Sequence, residues 1–552
     1  MKRIKFLSAF LAATLLFGCM STATLYAAPK KDKDTKIEDT KTEDIETEDI
    51  EDEQDDAEAV ETITLYWGCE PYWPDPEDDG DDYSYSTCAD IYTTDADEYP
   101  DLYDTLDELN ETAREYFSEE LPELKELIEE EYESDPDNWQ NFYEDGVYSL
   151  CRADENLLSF IMYDNFSGLG EAMDPFSIAM GMNIDPSTGD PIDLYDVITS
   201  VDDLMDAFDE EVANTDVYVD EWKESAREVL EDSFSESEDE FYSGVDAAIP
   251  FTIDYNGVTL YFNGEDTGFD DGPCTVLLSF EEYPDLFEEK YTVVPDSYCV
   301  EIYNGDYDYI YWFDFDGDGD PEPFAVIRSE YEDVEDSYTI GIGWGDSYTE
   351  LEEIGYVYFA NAFLFHSEYG DYIYIEATTE NDYQEIYVYE INTEALDFVD
   401  SIEGALKFNM YPDDEDEPIG YLPVDPDSFK LYTADWTLGN NWLLGDYHVG
   451  PDGMPVKDSY YLEYTNTDYW HITTCEDIDA EYVTENSNKS RKGTIEEGSE
   501  ILPYLMGDDG ELLIKTRDDK IWTLELDEDD EGYYTYDDVR LIDLFDGLVF
   551  AG

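Results

Sequence analysis

The sequence predicts an α+β domain over residues 62–294, followed by a β-rich domain over residues 295–552. Three observations lead there. Apolar residues between Tyr99 and Phe241 recur at three- and four-residue spacing, the period of a helix face, and strand-like runs lie before, between and after them. From about Pro295 the character changes to short, tyrosine-rich strands with frequent turn signals. The length of 552 residues, with 42 % hydrophobic content, is enough for more than one core. Strands and helices in blocks make an α+β fold, and many short strands make an irregular propeller-like or sandwich domain.

The first 61 residues stand outside both domains. Lys2, Arg3 and Lys5 precede an apolar run from Phe6 to Phe17, too short for a stable membrane span. Residues 1–27 therefore read as a signal peptide cleaved after Ala27. A lipobox ending at Cys19 is the alternative exit and would leave a lipid anchor there. Residues 28–61 start basic, turn acidic and hold no aromatic side chain, so they predict a disordered, self-repelling linker. No later apolar run is long enough to span a membrane, which predicts a protein that is secreted or held at a bacterial cell surface.

Order begins near Thr62. Thr62–Trp67 and Tyr85–Thr94 read as strands around a Pro- and Asp-rich loop. Leu102, Leu106, Leu109, Ala113 and Phe117 mark one helical face, and Leu121, Leu124, Leu127 and Ile128 continue it beyond a break at Pro122. Gly146–Arg152, Asn156–Tyr163 and Phe176–Ile184 read as strands, and 183–190 as a turn. Val201–Glu211 and Val219–Phe241 read as helices, and Pro250–Phe262 as a hairpin turning at Asn256-Gly257. Thr275–Phe280 is a further strand.

The stretches ADENLLSFIMYDNFSG (153–168), NIDPSTGDPIDLYDVIT (183–199), FTIDYNGVTLYF (251–262) and VLLSFEEYPDLF (276–287) resemble a domain of bacterial envelope proteins. That domain precedes the catalytic domain of PdaC-type peptidoglycan deacetylases and forms the ectodomain of lysozyme-sensing RsiV-type anti-sigma factors. The resemblance spans about residues 62–294. It implies an α+β sensing or binding module and brings no catalytic residue.

In the β-rich half, YIYWFDFDGDGDPEPFAVI (309–327) reads as strand, acidic loop, strand. Asp314, Asp316, Asp318, Asp320 and Glu322 place five carboxylates within nine residues, which repel one another unless a cation sits among them. Oxygen ligands at loop positions 1, 3, 5 and 9, a backbone carbonyl at 7 and Gly319 at 6 suit a weak, structural Ca²⁺ site. Position 12 is Ala325, so the loop is not a full EF-hand; it resembles the short calcium loops that link propeller strands. A solvated acidic hairpin is the plain alternative. Farther on, 492–526 has the pattern of a small SH3-like barrel. Runs such as Tyr307–Trp312 put aromatic rings on both faces of a strand, either as an ordinary Tyr-covered sheet or as a stacking surface for glycan rings.

With 147 acidic against 25 basic side chains, the formal charge is −122. That disfavours nucleic acid and favours cations, whether metal ions or basic proteins. Six cysteines fall in the folded part, none at metal-ligand spacing. Cys69 with Cys88, which flank the Pro- and Asp-rich loop, and Cys274 with Cys299 are the disulfide candidates; free thiols are the alternative. His366, His448 and His471 are isolated, so the clustered His and Asp motifs of a metal-dependent deacetylase are missing. The sequence therefore predicts a non-enzymatic, envelope-associated binding or sensing protein whose partner is a cationic, lysozyme-like protein or a wall glycan. The alternative is a carboxylate-based enzyme acting on envelope polysaccharide.

Overall fold

The computed structural model describes residues 60–550 apart from 73–84, 115–141, 168–175, 215–218, 235–248, 269–272, 305–310, 314–321, 408–419 and 466–470, with shorter gaps at 332–333, 335–336, 345–346, 380–382, 393–394, 485–486, 519 and 530–531. Alternating apolar residues set the first strands, β1 (Leu65–Tyr72) and β2 (Tyr85–Thr94). Helix α1 (100–114) follows and buries Leu102, Leu106, Leu109 and Ala113, the face its spacing predicts. The second set of predicted helical residues, 121–128, lies outside the described residues. Next come β3 (Phe142–Asp154), β4 (Leu157–Ser167) and β5 (Phe176–Ile184). Strands β2 and β3 pair in parallel, which needs a crossover, and α1 lies in the connection between them.

Helices α2 (Val201–Asn214) and α3 (Asp220–Ser233) are amphipathic. They pack Leu204, Phe208, Trp222, Ala226 and Leu230 against a three-stranded sheet of β6 (Phe251–Ile253), β7 (Gly257–Phe262) and β8 (Cys274–Ser279). The hairpin turns at Asn256-Gly257, as the sequence predicts.

Past residue 294 the strands dominate. They are β9 (Tyr298–Asn304), β10 (Tyr311–Phe313), β11 (Glu322–Glu330), β12 (Tyr338–Trp344), β13 (Ser347–Glu350) and β14 (Tyr356–Val357). Then come β15 (Phe359–Ser367), β16 (Gly370–Thr378), β17 (Gln384–Asn392) and β18 (Ala395–Glu403). A central sheet runs β18-β17-β16-β15-β9. Its strands are apolar on both faces. Val300, Ile302, Leu364, Ile373, Ile375 and Tyr389 face the β10–β13 sheet. Phe363, Phe365, Tyr372, Tyr374, Ile386 and Val388 face the other way, into a core shared with Ile63, Leu65, Trp67 and α1. Residues on either side of position 294 thus share one core. The short strand β19 (Tyr421–Leu422) joins the first sheet, pairing Leu65 with Leu422 and Tyr66 with Tyr421.

The last sheet gathers β20 (Phe429–Asp435), β21 (Asn441–Val449), β22 (Pro455–Lys457), β23 (Tyr461–Tyr464), β24 (Ile472–Thr474), β25 (Ile478–Thr484), β26 (Ser487–Ile495), β27 (Glu500–Gly507), β28 (Glu511–Thr516) and β29 (Lys520–Glu525). Its main path is β20-β21-β23-β27-β28-β29-β25-β26. The barrel expected over 492–526 is not closed. Among the described residues β26 pairs with β25 alone and does not return to β27, so the sheet stays open at that edge. No described helix is long and apolar enough to cross a membrane.

Candidate functional site: a charged seam and an acidic hairpin

Two groups of buried charges lie where the N-terminal strands meet the central sheet. The first begins with a bulge in β3. The register shifts between Leu150 and Arg152, and such an extra residue re-aims the side chain after it. Arg152 is fully buried. Its Nε donates to Asp154 Oδ2 at 2.6 Å, Nη1 to the Tyr291 carbonyl at 2.6 Å and Nη2 to the Val293 carbonyl at 2.6 Å. A guanidinium fork fits this geometry, and a lysine ammonium does not. The cation also lies 5.3 Å from the Tyr255 ring centre. Tyr255 stacks on Tyr298 at 3.9 Å, Tyr298 stacks on His366 at 4.7 Å, and His366 Nδ1 is 2.6 Å from Asp371 Oδ1. A continuous ladder of rings therefore links the β6–β7 turn to the β15–β16 hairpin. Beside it, Asp254 Oδ1 accepts from the backbone N–H groups of Asn256 and Gly257 at 2.7 and 2.9 Å. Burial pushes its carboxyl up to about 6 in spite of these bonds and of Arg152 nearby.

The second group sits on the face of the central sheet that looks toward β1. Glu301 comes from β9, Asn361 from β15 and Glu376 from β16, with Asn361 directly opposite Glu376. Lys407 reaches them after β18 because Gly404, at φ 152°, passes close against the Tyr432 carbonyl where a side chain would collide. Lys407 Nζ donates to Glu301 Oε1 at 3.0 Å and lies 4.5 Å from the Trp67 ring centre. The backbone N–H groups of Leu406 and Lys407 donate to Glu376 Oε2 at 2.7 and 2.9 Å. Burial pushes Glu376 up to about 7, with the two backbone bonds and Lys407 opposing the rise. Asn361 Oδ1 and Trp67 Nε1 have no hydrogen-bond partner among the described residues.

Glu301 and Glu376 are each 2 % exposed, so a polysaccharide chain reaches neither without opening the seam. What these charges can do is hold the sheets in one register and respond to protons. Sequence reasoning missed them because an acid inside a strand reads as a solvent-facing residue. The one available signal was alternation in CVEIY and YIYIEAT, where both sets of alternate positions are apolar or aromatic.

The predicted site residues fall as follows. Strands β10 and β11 form the hairpin expected around the acidic loop, with Tyr311 opposite Phe324 and Phe313 opposite Glu322. Asn256 fixes the hairpin by donating to the Trp312 carbonyl at 3.1 Å and to Tyr311 Oη at 3.2 Å. Glu322 opens β11; Asp314, Asp316, Asp318 and Asp320 lie outside the described residues, as does Cys19. Cys69 stands opposite Asp90 and Cys88 opposite Pro71, two residues apart in register, and their side chains too lie outside the described residues. Cys274 and Cys299 are unbridged. Cys274 borders the core of α2, α3 and the β6–β8 sheet, while Cys299 is buried in the core shared with α1.

No known protein family and no curated protein matches the chain. Two solved structures are similar to part of it. A member of the DUF3298 family from Bacteroides fragilis is 17 % identical, with a TM-score of 0.29, over 42 % of this chain and 96 % of its own. A DUF3298 family protein from Pseudomonas aeruginosa is 10 % identical, with a TM-score of 0.26, over 42 % of this chain and 97 % of its own. Both scores are low, and the fold given above rests on this chain's own sheets and registers.

Proposed function

We propose that the chain is an exported, envelope-associated binding or sensing protein whose partner is a cationic, lysozyme-like protein, and that Ca²⁺ pins its acidic hairpin loop. The charge balance supports the partner. Several surface cations are engaged by carboxylates of the same chain: Lys290 with Asp185, Lys430 with Asp446 and Lys520 with Asp518, each at 2.6 Å, and Arg227 between Asp209 and Glu231. The large acidic excess is left to face solvent, and it steers basic proteins toward the surface. Exposed rings support a wall glycan as the second reading, since Tyr348 and Trp436 are each more than half exposed.

The test is binding of lysozyme to the full chain at about 0.02 and 0.15 M salt, a range over which surface charge is progressively screened. An equally acidic, unrelated protein serves as control. The full chain is required because residues on both sides of position 294 share a core. The expected result is affinity that falls with salt yet exceeds the control's at the higher salt. Equal behaviour of the two proteins reduces the attraction to bulk charge and leaves the glycan reading.

A further inference from the structure

Strand β26 departs from the rest of this chain in two ways. Its sequence, SNKSRKGTI, has three cations and no acid in a molecule of net charge −122. It also ends the path of its sheet, so one row of its backbone N–H and C=O groups has no strand partner among the described residues. Residues 489–492 are all exposed. Among the described residues Arg491 has no ion pair, and Lys492 is 87 % exposed with one carboxylate, Glu481, at 3.7 Å. An open edge of this kind takes up an extended segment by main-chain hydrogen bonding, with side-chain chemistry choosing which one.

We propose that β26 is the docking edge for the chain's own acidic stretch, residues 43–58, whose first part, residues 43–50, adds to it as a further strand. That stretch holds eleven acids and no cation in sixteen residues, and so matches the cationic strand in sign. It is attached just before Thr62, which bridges to Asp154 in the first sheet. Reach is sufficient. Seven inter-strand steps separate β20 from β26 along the sheet, roughly 35 Å at the usual spacing. β20 follows β19, the partner of β1. Thr62 lies beside Asp425, just before β20, and residues 51–61, eleven in all, span up to about 36–40 Å when extended, which leaves residues 43–50, with five acids, to lie along β26. Tethering matters because a free acidic peptide is repelled by the rest of the surface, whereas an attached one is held at an effective concentration near millimolar. The competing explanation is that lysines merely guard the edge against aggregation.

Hydrogen exchange on the full chain decides between them. Two variants are compared with the wild type: K489E/R491E/K492E, and a chain whose eleven acids in 43–58 are replaced by Asn or Gln. The second alters no residue of the described fold, so it reports even if the first misfolds; exchange in β16 monitors folding in both. Docking predicts that β26 amides exchange roughly tenfold faster in each variant than in the wild type, and that salt raises the wild-type rate. Equal exchange in the wild type and the neutralised-stretch variant overturns the proposal. Protection that grows with protein concentration also overturns it, because the added strand then comes from a second copy.

Discussion

Glu376→Gln tests the reading of the charged seam. Burial holds this carboxyl near 7, against an ordinary value of 4.5. The folded value lies above the unfolded one, so the native state binds the extra proton between about pH 4.5 and 7. The stability tied to that proton is fully present below about pH 4.5 and is lost as pH rises through 7. Two to three pH units at 1.36 kcal/mol each give a loss on the order of 3 kcal/mol. Glutamine keeps an oxygen to accept from the Leu406 and Lys407 N–H groups. Its NH₂ group can donate toward Asn361, whose Oδ1 has no other partner among the described residues. The variant should therefore match the wild type to within about 1 kcal/mol at pH 5 and exceed it by about 2–3 kcal/mol at pH 8. Urea midpoints of both proteins at the two pH values measure this. An equal difference at both, or a variant weaker than the wild type at pH 8, refutes the argument.

Glu301→Gln should cost about 3–5 kcal/mol by leaving the Lys407 ammonium buried without its carboxylate, and adding Lys407→Met should recover much of the loss; a double-mutant cycle in urea reads this coupling directly. Ca²⁺ should bind the 314–322 loop with Kd on the order of 10⁻⁴–10⁻³ M, and Asp316→Ala should abolish the binding. Calorimetry without a calcium heat, together with a Tm indifferent to EDTA, sinks that site. Bridging Cys69 to Cys88 closes a loop of about 20 residues and should stabilise by roughly 3 kcal/mol. Recovery of both thiols free in non-reducing peptide mapping ends that proposal.

Strand positions were legible because alternation needs only local sequence. Tyr85–Thr94, Gly146–Arg152 and Phe176–Ile184 all lie in the strands they predict. Which face meets water was not legible. Tyr372 and Tyr374 belong to a tyrosine-rich strand, yet they are 2 % and 0 % exposed because Phe429 and the turn at Gly453 lie against them. Glu301 and Glu376 on the same face are hidden as well, and only the long-range packing says so. The open edge at β26 was missed for a related reason. The four strands at short spacing over 492–526 suit part of a closed barrel as well as an open sheet, and pairing between distant strands decides which. The hairpin around the acidic loop was legible because the two flanking runs are local, and β10 and β11 form it.

The pairing of β1 with β19 sets an order of events during synthesis. Leu65 must wait for Leu422, about 350 residues later. At about 5–20 residues per second that is a delay of roughly 20–70 s. Throughout it Trp67 and the buried side of α1 lack the central sheet that covers them, and so lie open to chaperones and proteases. A truncation before β15 would leave that apolar face uncovered permanently. Fragments of this chain should accordingly be recovered as aggregates or degradation products, even where each retains a complete sheet.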